Sequence, residues 1–242
     1  MQHEIQEYCS LLRLSAISDN YEEVAKTATD YGSFLHQLLR MEVDAEEQRA
    51  KERKIKAAKF PYRKYIEDLE TDLLPEGMRK RLSELCTLDF IRDGKNIIMT
   101  GNPGTGKTHT AIGLGIKACE QGYRVLFTTI PYLVTELKES NNKKKLRTFQ
   151  KRFEKYDLII ADELGYISFD REAADLLFSV LSLRASQKST IITSNLTFER
   201  WDEIFGDAAI MNIPAPFEPL VRNLRATIPD GESHQKYYST CS

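Results

Sequence analysis

The sequence has no apolar run that approaches the roughly 20 residues needed by a membrane-spanning helix. Its four cysteines are far apart and form no C-x-x-C pair, which argues against a disulfide framework and against a zinc site. The amino terminus lacks the charged and apolar segments that are typical of a signal peptide. We therefore expect a cytoplasmic protein without a membrane segment.

The net charge of −2 conceals an uneven distribution of charge along the chain. Residues 49–64 contain eight Lys or Arg and one Glu, and residues 138–155 contain eight Lys or Arg and two Glu. The remainder of the chain is therefore acidic. This segregation predicts two basic patches on an otherwise acidic protein.

The first 66 residues are predicted to form a small helical domain. Apolar residues recur at the i, i+3, i+4, i+7 spacing of one helix face, first within residues 5–12 and again within residues 21–28. Asp19, which is followed three residues later by Glu22, predicts the start of a second helix. A third helix is expected to run from Phe34 into the first basic window and to end near Pro61.

Residues 67–242 are predicted to form a larger α/β domain, which begins with a connecting stretch. Short, mostly apolar runs predict strands at 96–100, 124–129, 157–162 and 189–194. Helical patterns lie between them, near 107–121, within 131–155 and near 171–187. Strands that alternate with helices pair in parallel, and helices cover both faces of such a sheet.

The stretch GNPGTGKT satisfies the P-loop pattern G-x-x-x-x-G-K-[ST] and stands between a predicted strand and a predicted helix. Glycines let several backbone N–H groups approach one phosphate chain, and the helix adds its positive end. Lys107 is expected to reach the β and γ phosphates of ATP, and the Thr108 hydroxyl is expected to bind Mg²⁺. The predicted nucleotide-binding residues of this stretch are Gly101, Asn102, Pro103, Gly104, Thr105, Gly106, Lys107, Thr108 and His109.

Two adjacent carboxylates end the third predicted strand. Asp162 is expected to join the nucleotide and Mg²⁺ site, and Glu163 to orient and polarise the attacking water. Asn195 follows the next strand and is expected to lie near the γ phosphate, which makes it a catalytic candidate with Glu163 and Lys107. Each feature alone is also compatible with an ordinary polar strand end.

Three sequence runs, GNPGTGKTHTAIGLG, ADELGYISFDREAADLLFSVLSLR and the following TSN, resemble the IstB family, the AAA+ helper ATPases of insertion-sequence transposition. The helical amino-terminal segment is similar to that family as well, and the resemblance covers about residues 5–210. DELGY at 162–166 is its most specific part, because other AAA+ proteins share the acidic pair without that continuation. DnaC-type helicase loaders are close relatives of the family.

The resemblance implies an AAA+ P-loop ATPase that uses ATP and Mg²⁺. Such a protein would form a homo-oligomer on duplex DNA, remodel the DNA and assist an IstA-type transposase in transposition. A DnaC-like loader of a replicative helicase, acting as a nucleotide-gated adaptor, is the alternative. A small-molecule phosphotransferase is a third, weaker hypothesis, because the acidic pair suits water as the phosphoryl acceptor.

The basic windows supply candidate DNA contacts that would bind phosphates without reading bases. A solvated helix face explains either window equally well. Aromatic residues near Pro61 suggest base stacking, although packing at a domain junction is the simpler interpretation. The candidate DNA-binding residues are Lys51, Arg53, Lys54, Lys56, Lys143, Lys144, Lys145 and Arg147.

The carboxy-terminal stretch departs from the family pattern. The resemblance implies an arginine that acts on a neighbouring subunit's nucleotide, and Phe217–Leu220 carries proline where that arginine is expected. Four prolines between residues 214 and 229 also crowd a segment expected to be helical. Candidates for the missing group are Arg184, Arg222 and Arg225. The departure is equally compatible with impaired hydrolysis beside intact nucleotide binding, and with an altered reading frame near the end of the gene.

Overall fold

The computed structural model describes residues 2–71, 76–166, 169–185, 187–196 and 225–227. The chain divides into two compact units, Met1–Arg53 and Lys54–Ser242. The domain boundary predicted after residue 66 stays a prediction. None of the helices in the described ranges is long and apolar enough to cross a membrane.

The first unit contains α1 (Gln2–Leu12), α2 (Ser15–Thr27) and the residues of α3 (Tyr31–Ala57) up to Arg53. The predicted start of the second helix at Asp19 is wrong, because α2 begins at Ser15. The local capping signal at Asp19 fails because a residue distant in sequence accepts a hydrogen bond from the first turn of α2. The backbone N–H of Ile17 donates to Glu42 Oε2 at 3.2 Å. Glu42 is buried and forms an ion pair with Arg49 at 2.5 Å.

The second unit is built on a sheet of parallel strands in the order β2-β3-β4-β1-β5. The strands are β1 (Ile97–Thr100), β2 (Val125–Thr129), β3 (Leu158–Leu164), β4 (Ser189–Ser194) and β5 (Arg225–Thr227). Its helices are α4 (Glu76–Cys86), α5 (Asp89–Arg92), α6 (Lys107–Glu120), α7 (Ile130–Asn142), α8 (Leu146–Phe153) and α9 (Arg171–Ala185), with a 3₁₀ turn at Ile66–Asp68. The predicted α/β architecture is confirmed, and α4 and α5 are additional helices in the connecting stretch.

Helices cover both faces of the sheet, which explains why its strands are apolar almost throughout. α6 packs with α5 against one face through Ile112, Ile116 and their neighbours, and α7, α8 and α9 form the core on the other face. β1 to β4 are buried on both sides, as expected for a parallel sheet formed by crossover connections.

The strand order brings the predicted site residues together. β1 lies beside β4, and β4 lies beside β3, although these strands are far apart in sequence. Since all of them are parallel, their carboxyl ends meet at one edge of the sheet, which is where parallel α/β sheets bind ligands. The P-loop, the acidic pair and Asn195 therefore share that edge.

Candidate nucleotide site

The P-loop joins the end of β1 at Thr100 to the start of α6 at Lys107. Gly104 and Gly106 adopt positive φ angles of +82° and +84°, which side-chain-bearing residues rarely adopt. A Cβ atom on Gly104 would have no heavy atom within 4 Å, so that position needs glycine for its backbone conformation rather than for space. The 14-residue helix α6 presents its amino end to the loop, as an anion site requires.

Lys107 is 8% exposed, and its ammonium group lies within the loop. Nζ donates to the carbonyl oxygen of Gly101 at 2.7 Å and to that of Asn102 at 2.8 Å. These contacts hold the cation among the loop residues that carry the candidate phosphate-binding N–H groups. A positive charge buried at this position favours an anionic ligand such as a phosphate chain.

Asp162 lies at the carboxyl end of β3 and is 4% exposed. Its Oδ1 accepts a hydrogen bond from Thr108 Oγ1 at 2.9 Å and a second one from Thr193 Oγ1. The hydroxyl of Thr108 and the carboxylate of Asp162 are hard oxygen donors, which Mg²⁺ prefers in combination with water and phosphate oxygens. The two residues therefore fit the predicted magnesium site.

Glu163 has a strained backbone, with a φ of +68° that is unusual for a residue other than glycine. Its N–H donates to Thr193 Oγ1 at 3.1 Å, and its side chain is partly exposed at the edge of the sheet. Strained backbone of this kind is concentrated at functional sites, where surrounding contacts hold it. Glu163 is thus the carboxylate beside Asp162 that is open to solvent.

Asn195 lies directly after β4, as predicted. Its Oδ1 is buried and has no hydrogen-bond partner among the described residues. Gly165 has a φ of +103°, and a Cβ atom placed on it would lie 2.7 Å from Asn195 Oδ1. The glycine of the DELGY run therefore gives Asn195 the space it occupies.

Residues 58–66, which precede α4, contact β2 and α6 next to the P-loop. Phe127 N donates to the carbonyl oxygen of Ala58 at 2.7 Å, and His109 Nε2 lies 2.9 Å from the carbonyl oxygen of Tyr65. Phe60 packs at a ring-centroid distance of 6.3 Å from Phe127, which agrees with packing rather than base stacking. Burial, followed by the charges of Asp162 and Glu163, raises the pKa of Tyr62.

Comparison with known proteins identifies the family. The family model described as "IstB-like ATP binding protein" matches residues 9–228. The chain belongs to this family. A protein of insertion sequence IS5376 from Geobacillus stearothermophilus is 36% identical over 214 residues, which are 87% of this chain and 85% of that protein. The corresponding protein of IS21 from Pseudomonas aeruginosa is 35% identical over 209 residues, 85% of this chain and 79% of that protein.

Solved structures share the fold of this IstB-like chain. The DnaC helicase loader matches with a TM-score of 0.52 and 20% identity over 73% of this chain and 98% of the loader. A DnaA replication initiator bound to AMPPCP and single-stranded DNA matches with a TM-score of 0.55 and 20% identity over 70% of this chain and 50% of the initiator. The predicted AAA+ P-loop fold is confirmed.

The arginine candidates of this IstB-like chain occupy different environments. Arg184 is 1% exposed, and its guanidinium donates to the carbonyl oxygens of Phe153, Tyr156 and Ser189 at 2.6 Å, 3.1 Å and 3.1 Å. A side chain held in this way is not available to a neighbouring subunit, which argues against Arg184 as the trans-acting group. Arg225 begins β5, and Arg222 lies outside the described residues, as do the prolines of that stretch.

The candidate DNA contacts fall into two groups. In the first window, Arg53 forms an ion pair with Glu46 at 2.7 Å, and Lys54 donates to the carbonyl oxygen of Gly122, so both have structural partners. Lys51 is partly exposed and Lys56 is exposed. In the second window the four predicted residues are exposed, three in the turn between α7 and α8 and one in the first turn of α8: Lys143, Lys144, Lys145 and Arg147.

Sequence reasoning missed Thr193 as a residue of the site. Its hydroxyl contacts both Asp162 and Glu163, yet the sequence shows only a threonine near the end of an apolar strand. Its place at the start of the TSN run, which contributes to the family resemblance, was the signal that pointed to it.

Proposed function

We propose that this IstB-like protein hydrolyses ATP with Mg²⁺, assembles as a homo-oligomer on duplex DNA and assists a transposase. The observation that carries the proposal is the 2.9 Å contact between Thr108 of the P-loop helix and Asp162 of β3, with Glu163 beside it. That contact unites the phosphate-binding loop with two carboxylates at one edge of the sheet. Membership of an ATP-binding protein family supports the same chemistry.

Each side chain has a role set by its position. Lys107 and the loop N–H groups bind the phosphate chain, while Thr108 and Asp162 would hold Mg²⁺. The metal would supply neutralisation of phosphate charge at this site. Glu163 orients the attacking water and accepts its proton, and Asn195 directs its amide toward the γ phosphate.

ATP turnover by purified protein tests the hydrolysis proposal. Lys107→Ala is expected to weaken nucleotide binding, because it removes the cation of the loop. Glu163→Gln is expected to retain binding and to lose turnover by about 10²- to 10⁴-fold, the usual contribution of a general base.

Matched controls are available on α6, where Lys117→Ala and Glu120→Gln make the same chemical changes away from the loop. Both are expected to behave like the unaltered chain. Full turnover by Glu163→Gln would contradict the assigned role of Glu163.

The turn between α7 and α8, together with the first turn of α8, is the surface that we propose for duplex DNA. Lys143 forms an exposed ion pair with Glu139 at 3.3 Å, which is a weak contact that phosphate can replace. Lys144, Lys145 and Arg147 are exposed beside it, and Lys144 adopts a positive φ of +52° at the turn. Their clustered charge suits sequence-tolerant phosphate binding.

Salt dependence of DNA binding tests this surface. Replacing Lys144, Lys145 and Arg147 with alanine is expected to weaken binding to all duplex sequences equally. It is also expected to flatten the plot of log K against log salt by about 0.9 per lost phosphate contact. Lys95→Ala removes an exposed cation that pairs with Asp93 and serves as the control. An unchanged slope in the triple variant would exclude this surface.

The transposase partnership is proposed because the curated relatives are named as proteins of insertion sequences. Pull-down with the transposase of the same element, measured with and without ATP and DNA, is the direct test. Capture of a replicative helicase instead would favour the helicase-loader alternative.

Light scattering with ATP and duplex DNA tests the homo-oligomer. Alanine substitutions at Arg222 and Arg225 test the trans-acting arginine.

A further inference from the structure

We infer that Thr193 is a positioning residue that aligns Asp162 and Glu163 for ATP hydrolysis. The inference rests on the proposed hydrolytic function of this site. It starts from an irregularity in the pairing of β3 with β4.

The acidic pair lies in a bulge of the sheet. The parallel register pairs Ala161 with Ile192 and then resumes with Leu164 opposite Ser194. Asp162 and Glu163 on β3 therefore face a single residue of β4, Thr193. In a regular strand, two successive side chains point to opposite faces of the sheet, whereas a bulge redirects one of them. The bulge explains how two adjacent carboxylates serve the same edge.

The hydroxyl of Thr193 bonds both members of the pair. The backbone N–H of Glu163 is a donor only, so Thr193 Oγ1 accepts this bond at 3.1 Å. The single hydroxyl proton of Thr193 is then donated to Asp162 Oδ1, which also accepts from Thr108. Thr193 is 2% exposed, so water does not replace these bonds easily. One hydroxyl thus fixes the orientation of the Asp162 carboxylate and anchors the backbone of Glu163.

The anchored backbone is one that Glu163 does not favour by itself. Its φ of +68° is unfavourable for any residue with a Cβ atom, so surrounding contacts must hold it. The bond from Glu163 N to Thr193 is such a contact. Without it, the backbone is expected to relax toward negative φ and to carry the Glu163 carboxylate away from the attacking water.

The test compares Thr193→Val, Thr193→Ser and Thr190→Val. Valine keeps the shape of threonine but removes both hydrogen bonds, and serine keeps the hydroxyl. Thr190 is 1% exposed on the same strand, and its hydroxyl has no hydrogen-bond partner among the described residues, so Thr190→Val controls for a buried hydroxyl. Two quantities are measured: kcat and KM for ATP, and the rise in Tm that Mg²⁺ produces in the presence of a non-hydrolysable ATP analogue.

Thr193→Val is expected to lower kcat by about 10- to 100-fold, the usual effect of removing a partner that orients a metal ligand. KM for ATP at saturating Mg²⁺ is expected to change less than kcat, and the rise in Tm at limiting Mg²⁺ is expected to shrink. Thr193→Ser and Thr190→Val are expected to behave like the unaltered chain.

Two results would overturn the inference: an unchanged kcat and Mg²⁺ response in Thr193→Val, or an equal loss in Thr193→Ser. If the unaltered chain does not hydrolyse ATP, the proposed function fails. The Tm measurement then still decides whether Thr193 orients Asp162.

Discussion

Replacement of Arg184 with alanine is predicted to unfold the second unit at a lower temperature rather than to impair catalysis selectively. The guanidinium donates to three backbone carbonyls, and hydrogen bonds to charged groups contribute about 1.5–3 kcal/mol each. Burial lowers the pKa of Arg184 to about 10. Relative to the ordinary value, this shift corresponds to ~3 kcal/mol of net destabilisation of the charged form, in which desolvation outweighs attraction to Asp157 and Glu154. The alanine variant would escape that cost but would leave the carbonyls without their partner.

The expected net loss of stability is about 2–5 kcal/mol, which corresponds to a fall in Tm on the order of 10 °C for a chain of this size. Arg152→Ala is the matched control, since this exposed arginine of α8 pairs with Glu136 at 3.4 Å and stacks on Phe149. Its loss is expected to cost about 1 kcal/mol or less. Thermal unfolding followed by circular dichroism measures both variants. An Arg184→Ala protein that melts like the unaltered chain but loses ATP turnover would refute the structural role and restore Arg184 as a trans-acting candidate.

Two further predictions concern glycine and cysteine positions. Gly165→Ala is expected to lower ATP turnover with little effect on nucleotide binding. The added Cβ atom would displace Asn195, and the φ of +103° would be strained. A normal kcat in this variant would contradict the proposed role of Asn195. Burial raises the pKa of Cys119 to about 12. At pH 8 this thiol is therefore expected to resist alkylation in the folded protein and to react in urea, as mass spectrometry can show; rapid labelling of the native thiol would contradict its burial.

Much of the fold was predictable because its signals are local. Each strand from β1 to β4 is a short apolar run, and the P-loop motif predicts the turn between β1 and α6. The start of α2 was not predictable from Asp19, because Glu42 of another helix accepts the hydrogen bond of a backbone N–H in the first turn of α2. Local capping signals cannot reveal such a tertiary contact.

The candidate site was predictable in its residues but not in its geometry. Lys107, Asp162 and Glu163 follow from motifs, whereas the role of Thr193 depends on strand register and on a bulge. Arg184 is a trans-acting candidate by sequence, because sequence does not show that three carbonyls converge on it. The contacts of Arg184 with the carbonyl oxygens of Phe153 and Tyr156 join residues that are far apart in sequence and belong to no motif, so pattern reasoning does not reveal them.

Calorimetric titration of the folded protein with Mg²⁺ and ATP tests the central claim most directly, with Lys107→Ala and Lys117→Ala measured in parallel. The account predicts saturable binding by the unaltered chain and by Lys117→Ala, and much weaker binding by Lys107→Ala. Absence of binding by the unaltered, well-folded protein, or equal binding by all three proteins, would contradict the claim that residues 101–108 hold the phosphates of ATP.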